Sequence, residues 1–252
     1  MIFSWFRTRR RRQLAARPFP EEWDQWIRQN VAHVSNLSAE EYANLQIWIQ
    51  IFAAEKYWEG CDGLRVTEEM QATISAHAGF MVRGMEEYYY DHLQTILVYP
   101  HVVYRADSAQ EAGVVSEGLT GRLGEALRSG PVSLVWPHVL EAGRRADSGR
   151  NVVFHEFAHV LDWEDQYVDG TPRLPTAELF ERWEKVIKAE YEALVEAARR
   201  GRSTLLDPYG ATKIAEFFAV STECFFEHPH LMLHRHPEWF QLLAEFYKIQ
   251  PR

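Results

Sequence analysis

His155-Glu156-Phe157-Ala158-His159 is the stretch whose residue types and spacing offer the most chemistry. Two histidines four apart on a helix project from one face and can grip a single metal ion. Neutral imidazoles as ligands, with a carboxylate beside them to take a proton from water, are the parts a zinc hydrolase needs. The motif is short for a chain with 11 histidines and 36 acidic residues, so its surroundings matter. Apolar residues recur at Val153, Phe157, Val160 and Leu161, which predicts a buried helix with a polar stripe. Asp162, seven residues after His155, lies on that stripe. The competing reading is a core helix with two hydrogen-bonded histidines and no metal.

A catalytic zinc takes three protein ligands and leaves one position open. Downstream candidates for the third are Asp162, Glu164, Asp165, Asp207, Glu216, Glu223 and Glu227, with a histidine patch at His228, His230, His234 and His236. The layout H-E-x-x-H-x-x-G-x-x-H is excluded, because Asp162 and Asp165 stand where it needs glycine and histidine. Glu216 is the strongest candidate. It sits in the first turn of an otherwise apolar expected helix, where an unpaired carboxylate is costly to bury and a dication would satisfy it. Glu223 lies seven residues on, on the same face, and is either a hydrogen-bond partner for a ligand histidine or the ligand itself. Asp162 competes for the partner role, and a surface salt bridge is the alternative for both glutamates. Pro229 and Pro237 predict a kinked connector around the histidine patch, with adventitious metal binding only. Cys224 lies among phenylalanines, where a thiol is inert.

These residues need elements to hold them. Trp23, Trp26, Ile27, Val31 and Val34 predict a helix over Glu21 to Val34. Ser38-Ala39-Glu40-Glu41 is a capping box that opens a second helix, ending near Gly60. Thr67 caps a third, running through Met70 and Met81. Thr95 to Tyr99 and Val132 to Trp136 read as strands of a small mixed sheet, with Val102 to Tyr104 extending or pairing with the first. Ala106 to Ser129 reads as loop and short helix. The Val132 strand is either an edge to which a peptide could add or an ordinary core strand. A charged helix follows from Thr176 to Arg200, Thr212 caps one carrying Glu216, and Glu238 to Tyr247 closes the fold. The expected class is α+β, mainly helical.

The chain has 252 residues, 46% hydrophobic and 13% aromatic, enough for a substantial core. Its formal charge of −9 argues against nucleic acid as a direct partner. Two scattered cysteines, Cys61 and Cys224, suit a reducing cytoplasm. No apolar run is long enough for stable membrane insertion. Residues 1–18, with Arg7 and Arg9 to Arg12 behind an aromatic tip, read as a basic disordered tail, or as a segment that grazes an anionic membrane. Residues 19–252 read as a single domain with a helical N-terminal part.

Together these residues resemble the family of the Mlc titration factor, bacterial cytosolic zinc peptidases of the gluzincin type related to the catalytic domain of anthrax lethal factor. The likeness runs from about Glu21 to the C-terminus through Tyr99-Pro100, Gly130-Pro131, Asn151, the paired histidines, Leu161-Asp162, Asp169-Gly170, Tyr209-Gly210-Ala211-Thr212, Ala215-Glu216, Glu223 and Phe225-Phe226. That family carries the paired histidines, then a distant tyrosine, then six residues and a glutamate ligand. Tyr209 and Glu216 stand in that relation here. The resemblance therefore implies a zincin-like fold and one zinc per chain held by His155, His159 and Glu216, with Glu156 as general base. Tyr209 would be the oxyanion donor, against the alternative of a packed turn aromatic. It implies hydrolysis of peptides or proteins, with short substrates and aminopeptidase action. The rival reading is a regulatory binding protein that sequesters a transcriptional repressor of sugar uptake, with hydrolysis secondary.

Overall fold

The structure is a computed structural model that describes residues 2–102 and 130–251. The expected strand extension at 103–104 and the loop and short helix expected over 106–129 lie outside the described residues. The architecture is α+β and mainly helical, with ten α-helices and three strands among the described residues.

The first helix, α1 (Ile2–Ala15), occupies the stretch expected as a disordered tail. Its arginines are held by acids distant in sequence. Arg11 bonds Glu55 at 2.7 and 2.9 Å and also pairs with Asp91, while Arg7 reaches Asp91 at 2.9 Å. Leu14 is buried beneath it. Next come α2 (Glu21–Asn30) and α3 (Ala39–Glu55). The Ser38 capping box forms in full: its hydroxyl accepts from the Glu41 N–H and the Glu41 carboxylate from the Ser38 N–H.

α3 stops at Glu55, five residues before the expected end. Lys56 turns extended and donates to the carbonyls of Tyr90 and Leu93 at 2.7 and 2.9 Å. The chain then enters an unforeseen strand, β1 (Tyr57–Gly60). After α4 (Glu68–Val82), capped by Thr67 as expected, come β2 (Thr95–Tyr99) and β3 (Val132–Val135). The order is β1-β2-β3, and Tyr57 pairs with Thr95 and Tyr99 with Val135. Both pairings are parallel, so among the described residues the sheet is parallel where a mixed one was expected. The connection from β1 to β2 passes through α4, and such a crossover brings strands together in the same direction. β3 has β2 on one side only among the described residues, yet all four of its residues are buried.

Trp136 does not continue β3. It opens α5 (Trp136–Gly143), with Pro137 in the first turn, where a missing N–H costs nothing. The remaining helices are α6 (Val152–Asp162), α7 (Ala177–Arg199), α8 (Ile214–Glu227), α9 (Pro229–Arg235) and α10 (Pro237–Tyr247). Most of the buried hydrophobic residues form one connected cluster from Ile27 to Tyr247. Within it α6 packs between α4 and α8, with Phe154 stacked on Phe80 and tilted against Phe226. Fixing α6 against α8 is what brings their polar residues together.

Candidate metal centre

The start of α6 is set by Asn151, which is fully buried and caps the helix. Its Oδ1 accepts from the N–H groups of Val153 and Phe154, both at 3.2 Å. Below the cap, Val153, Phe154, Phe157, Ala158 and Leu161 enter the core. That phase leaves His155 and His159 together on the helix edge facing α8, each only partly exposed.

The two Nε2 atoms lie 3.3 Å apart. Glu216 Oε2 approaches that of His155 to 3.1 Å and that of His159 to 3.3 Å. These three side chains form the only group of three convergent histidine, cysteine or acidic ligand atoms among the described residues. A tetrahedral zinc with ligand distances of about 2.0–2.1 Å sets neighbouring donor atoms about 3.3 Å apart. The observed triangle has that size, and two imidazoles with one carboxylate are a donor set that zinc accepts. Burial works against ionisation of Glu216, but its contacts with the two histidines prevail and hold its carboxyl well below the ordinary range.

Glu223 stands on the other side of the His155 ring. Its Oε1 lies 2.7 Å from Nδ1, and its Oε2 accepts from the Asn151 N–H at 2.6 Å. The ring is therefore gripped at Nδ1 by one carboxylate while Nε2 faces another. Asp162 is fully buried on the same helix, but no hydrogen bond joins it to His155 or His159 among the described residues. Two turns along α6 from His155, Asp162 lies by Asp169 and the Gly170 backbone instead, and burial pushes its carboxyl up to about 7. The contact that fixes His155 belongs to Glu223.

Glu156 points into the protein next to the triangle. It is 2% exposed, its Oε1 has no hydrogen-bond partner, and burial pushes its pKa up. Tyr209 lies on a short 3-10 turn, Pro208–Ala211, pinned by the Asp207 carboxylate, which accepts the Tyr209 N–H at 2.9 Å. Gly210 lets this turn lie close on α8: a Cβ there would come within 2.5 Å of Val220 Cγ2. The Tyr209 ring centre is 6.1 Å from that of His155. Thr212, expected to cap α8, instead donates its hydroxyl to the Tyr209 carbonyl at 2.7 Å, and Lys213 takes the cap position.

Glu227 also lies away from the histidine pair. It accepts from Asn151 Nδ2 at 3.2 Å and from the Ser148 N–H at 3.1 Å, with His33 Nε2 3.2 Å away. Sequence reasoning missed that Asn151 joins these two acids. The usable signal was an asparagine directly before an apolar helix, with Glu223 and Glu227 one turn apart on another. The histidine patch is dispersed over α9, and His236 pairs with Glu190 at 2.7 Å. Cys224 is buried, and burial pushes its thiol up to about 12, as expected of an inert cysteine.

Residues 5–248 match the family described as glucose-regulated metallo-peptidase M90. Among similar proteins, "Uncharacterized protein slr2042" of Synechocystis sp. is 35% identical over 244 residues, which cover 96% of this chain and 89% of that one. "Mlc titration factor A" of Edwardsiella ictaluri is 34% identical over 194 residues, covering 75% and 72%. The protein of the same name from Serratia proteamaculans is 32% identical over 193 residues, with the same coverage.

Proposed function

We propose that this chain, which belongs to the glucose-regulated metallo-peptidase M90 family, is a zinc-dependent peptidase whose site is built on His155, Glu156, His159, Tyr209 and Glu216. The observation that carries the reading is the convergence of three donors within 3.1–3.3 Å of one another, with a buried and incompletely bonded glutamate next in sequence to one of them. His155 and His159 through Nε2, and Glu216 through its carboxylate, would hold the ion. Zinc bound there supplies Lewis-acid polarisation of a carbonyl and acidifies water.

The remaining chemistry belongs to the chain. Glu223 accepts the Nδ1–H of His155, which fixes the tautomer that leaves the Nε2 lone pair free to bind. Glu156 takes the proton of the attacking water and delivers it to the leaving amine. Tyr209 donates its phenolic hydrogen to the oxyanion, a contact stronger in the transition state than in the ground state. Residues 19–252 act as one peptidase domain in this reading. Short peptides, trimmed from the amino end, are its narrower substrate class, and the cytoplasm is its location. No helix among the described residues is long and apolar enough to cross a membrane.

The name Mlc titration factor A, carried by several relatives, favours a second reading, in which the chain sequesters a transcriptional repressor of sugar uptake and hydrolysis is secondary. A mixed peptide library read by mass spectrometry separates the two. Under the first reading the zinc-loaded protein cuts peptides, a chelated sample does not, and the cut positions distinguish trimming from internal cleavage. Zinc-loaded protein that leaves the library intact while binding a repressor supports the second.

A further inference from the structure

The basic amino-terminal segment is ordered on one side and uncovered on the other. At roughly 100° per residue, Arg7, Arg11 and Leu14 fall along one side of α1. These are the residues docked on the body, through Glu55, Asp91 and the core. Trp5, Arg9 and Arg12 fall on the opposite side, and all three are exposed. Phe6, on the flank, is 58% exposed and Trp5 is 57% exposed. The Arg9 guanidinium lies 5.5 Å from the Trp5 ring centre.

We propose that this outward stripe of α1 docks on an anionic lipid surface. Residues 1–20 hold six arginines and no acidic residue, in a chain whose formal charge is −9, so this segment is a local basic patch on an acidic protein. A basic stripe with an exposed indole suits such a surface: arginines are drawn to anionic headgroups, and an indole settles at the boundary between headgroups and acyl chains. The helix needs no ordering on arrival, because Arg7, Arg11 and Leu14 already hold it, so docking avoids the entropy cost of folding a tail. A second copy of the chain would set the same arginines against each other. α1 carries too many charges to insert, so the contact is peripheral and depends on salt. None of this depends on the peptidase reading.

Sedimentation of the full chain with vesicles tests the proposal. The protein should pellet with vesicles of phosphatidylcholine containing phosphatidylglycerol, stay in solution with phosphatidylcholine alone, and be released by raised salt. Arg9→Gln and Arg12→Gln should each weaken binding about fivefold, as expected for one arginine near an anionic surface. Trp5→Ala combined with both should abolish it, with the circular dichroism spectrum and zinc content unchanged. Equal pelleting with both vesicle types, undiminished binding by the triple variant, or no binding at low salt would overturn it. So would tighter binding to an oligonucleotide than to the vesicles, or a Trp5-dependent dimer in their absence.

Discussion

Two histidine-rich stretches of this chain differ in outcome. His155 and His159 converge on a carboxylate, whereas His228, His230, His234 and His236 do not gather, although His230 and His234 share the four-residue spacing. The difference lies in what faces each stretch. α6 is buried along its apolar side, so its phase is fixed, and α8 presents Glu216 and Glu223 to its polar edge. α9 is a seven-residue helix that begins at Pro229 and ends before Pro237, and Glu190, the acid that reaches this stretch among the described residues, occupies His236. A metal site needs a second rigid element to deliver the missing ligand as well as a pair of histidines in register.

The largest effect should come from the pair itself. His155→Ala or His159→Ala should abolish stoichiometric zinc binding and turnover, while His230→Ala with His234→Ala should leave both unchanged, as read by metal analysis and a peptide assay. Zinc loss in the second variant would break the contrast. Tyr209→Phe should lower kcat by about a hundredfold with zinc retained, the usual cost of one oxyanion donor. A full rate would make Tyr209 a packing residue. Glu223→Ala should weaken zinc binding by about ten- to a hundredfold, because His155 loses the partner that orients it. His236→Ala should change unfolding free energy by about 1 kcal/mol or less, the worth of a partly exposed hydrogen bond, and leave zinc affinity alone.

Much of the candidate site was legible because its signals are local. The pair and its glutamate occupy five consecutive residues, and Glu216 stood out as a carboxylate in an apolar helix. The choice between Glu223 and Asp162 for the contact to His155 was not legible: both lie on the right helix face, and only the packing of α6 on α8 brings one carboxylate to Nδ1. The fold shows the same division. The Ser38 box and the Thr67 cap mark their helices from within four residues. β1 has no such mark. Tyr57-Trp58-Glu59-Gly60 follows a seventeen-residue helix without a break, and it is a strand only because β2, almost forty residues later, pairs with it. The order of α1 is hidden from the sequence for a related reason. A run of arginines repels itself in isolation, and Glu55 and Asp91, which neutralise Arg11 here, lie 44 and 80 residues away.

The central claim is that Glu216 joins His155 and His159 around one ion. A crystal structure of the zinc-loaded protein, with the ion located by its anomalous signal, tests it most directly. The account predicts one strong peak at about 2.0–2.2 Å from both Nε2 atoms and a Glu216 oxygen, with Glu223 still on Nδ1 of His155. A peak among His228 to His236, or one bound by the two histidines with Glu216 turned away, would contradict it.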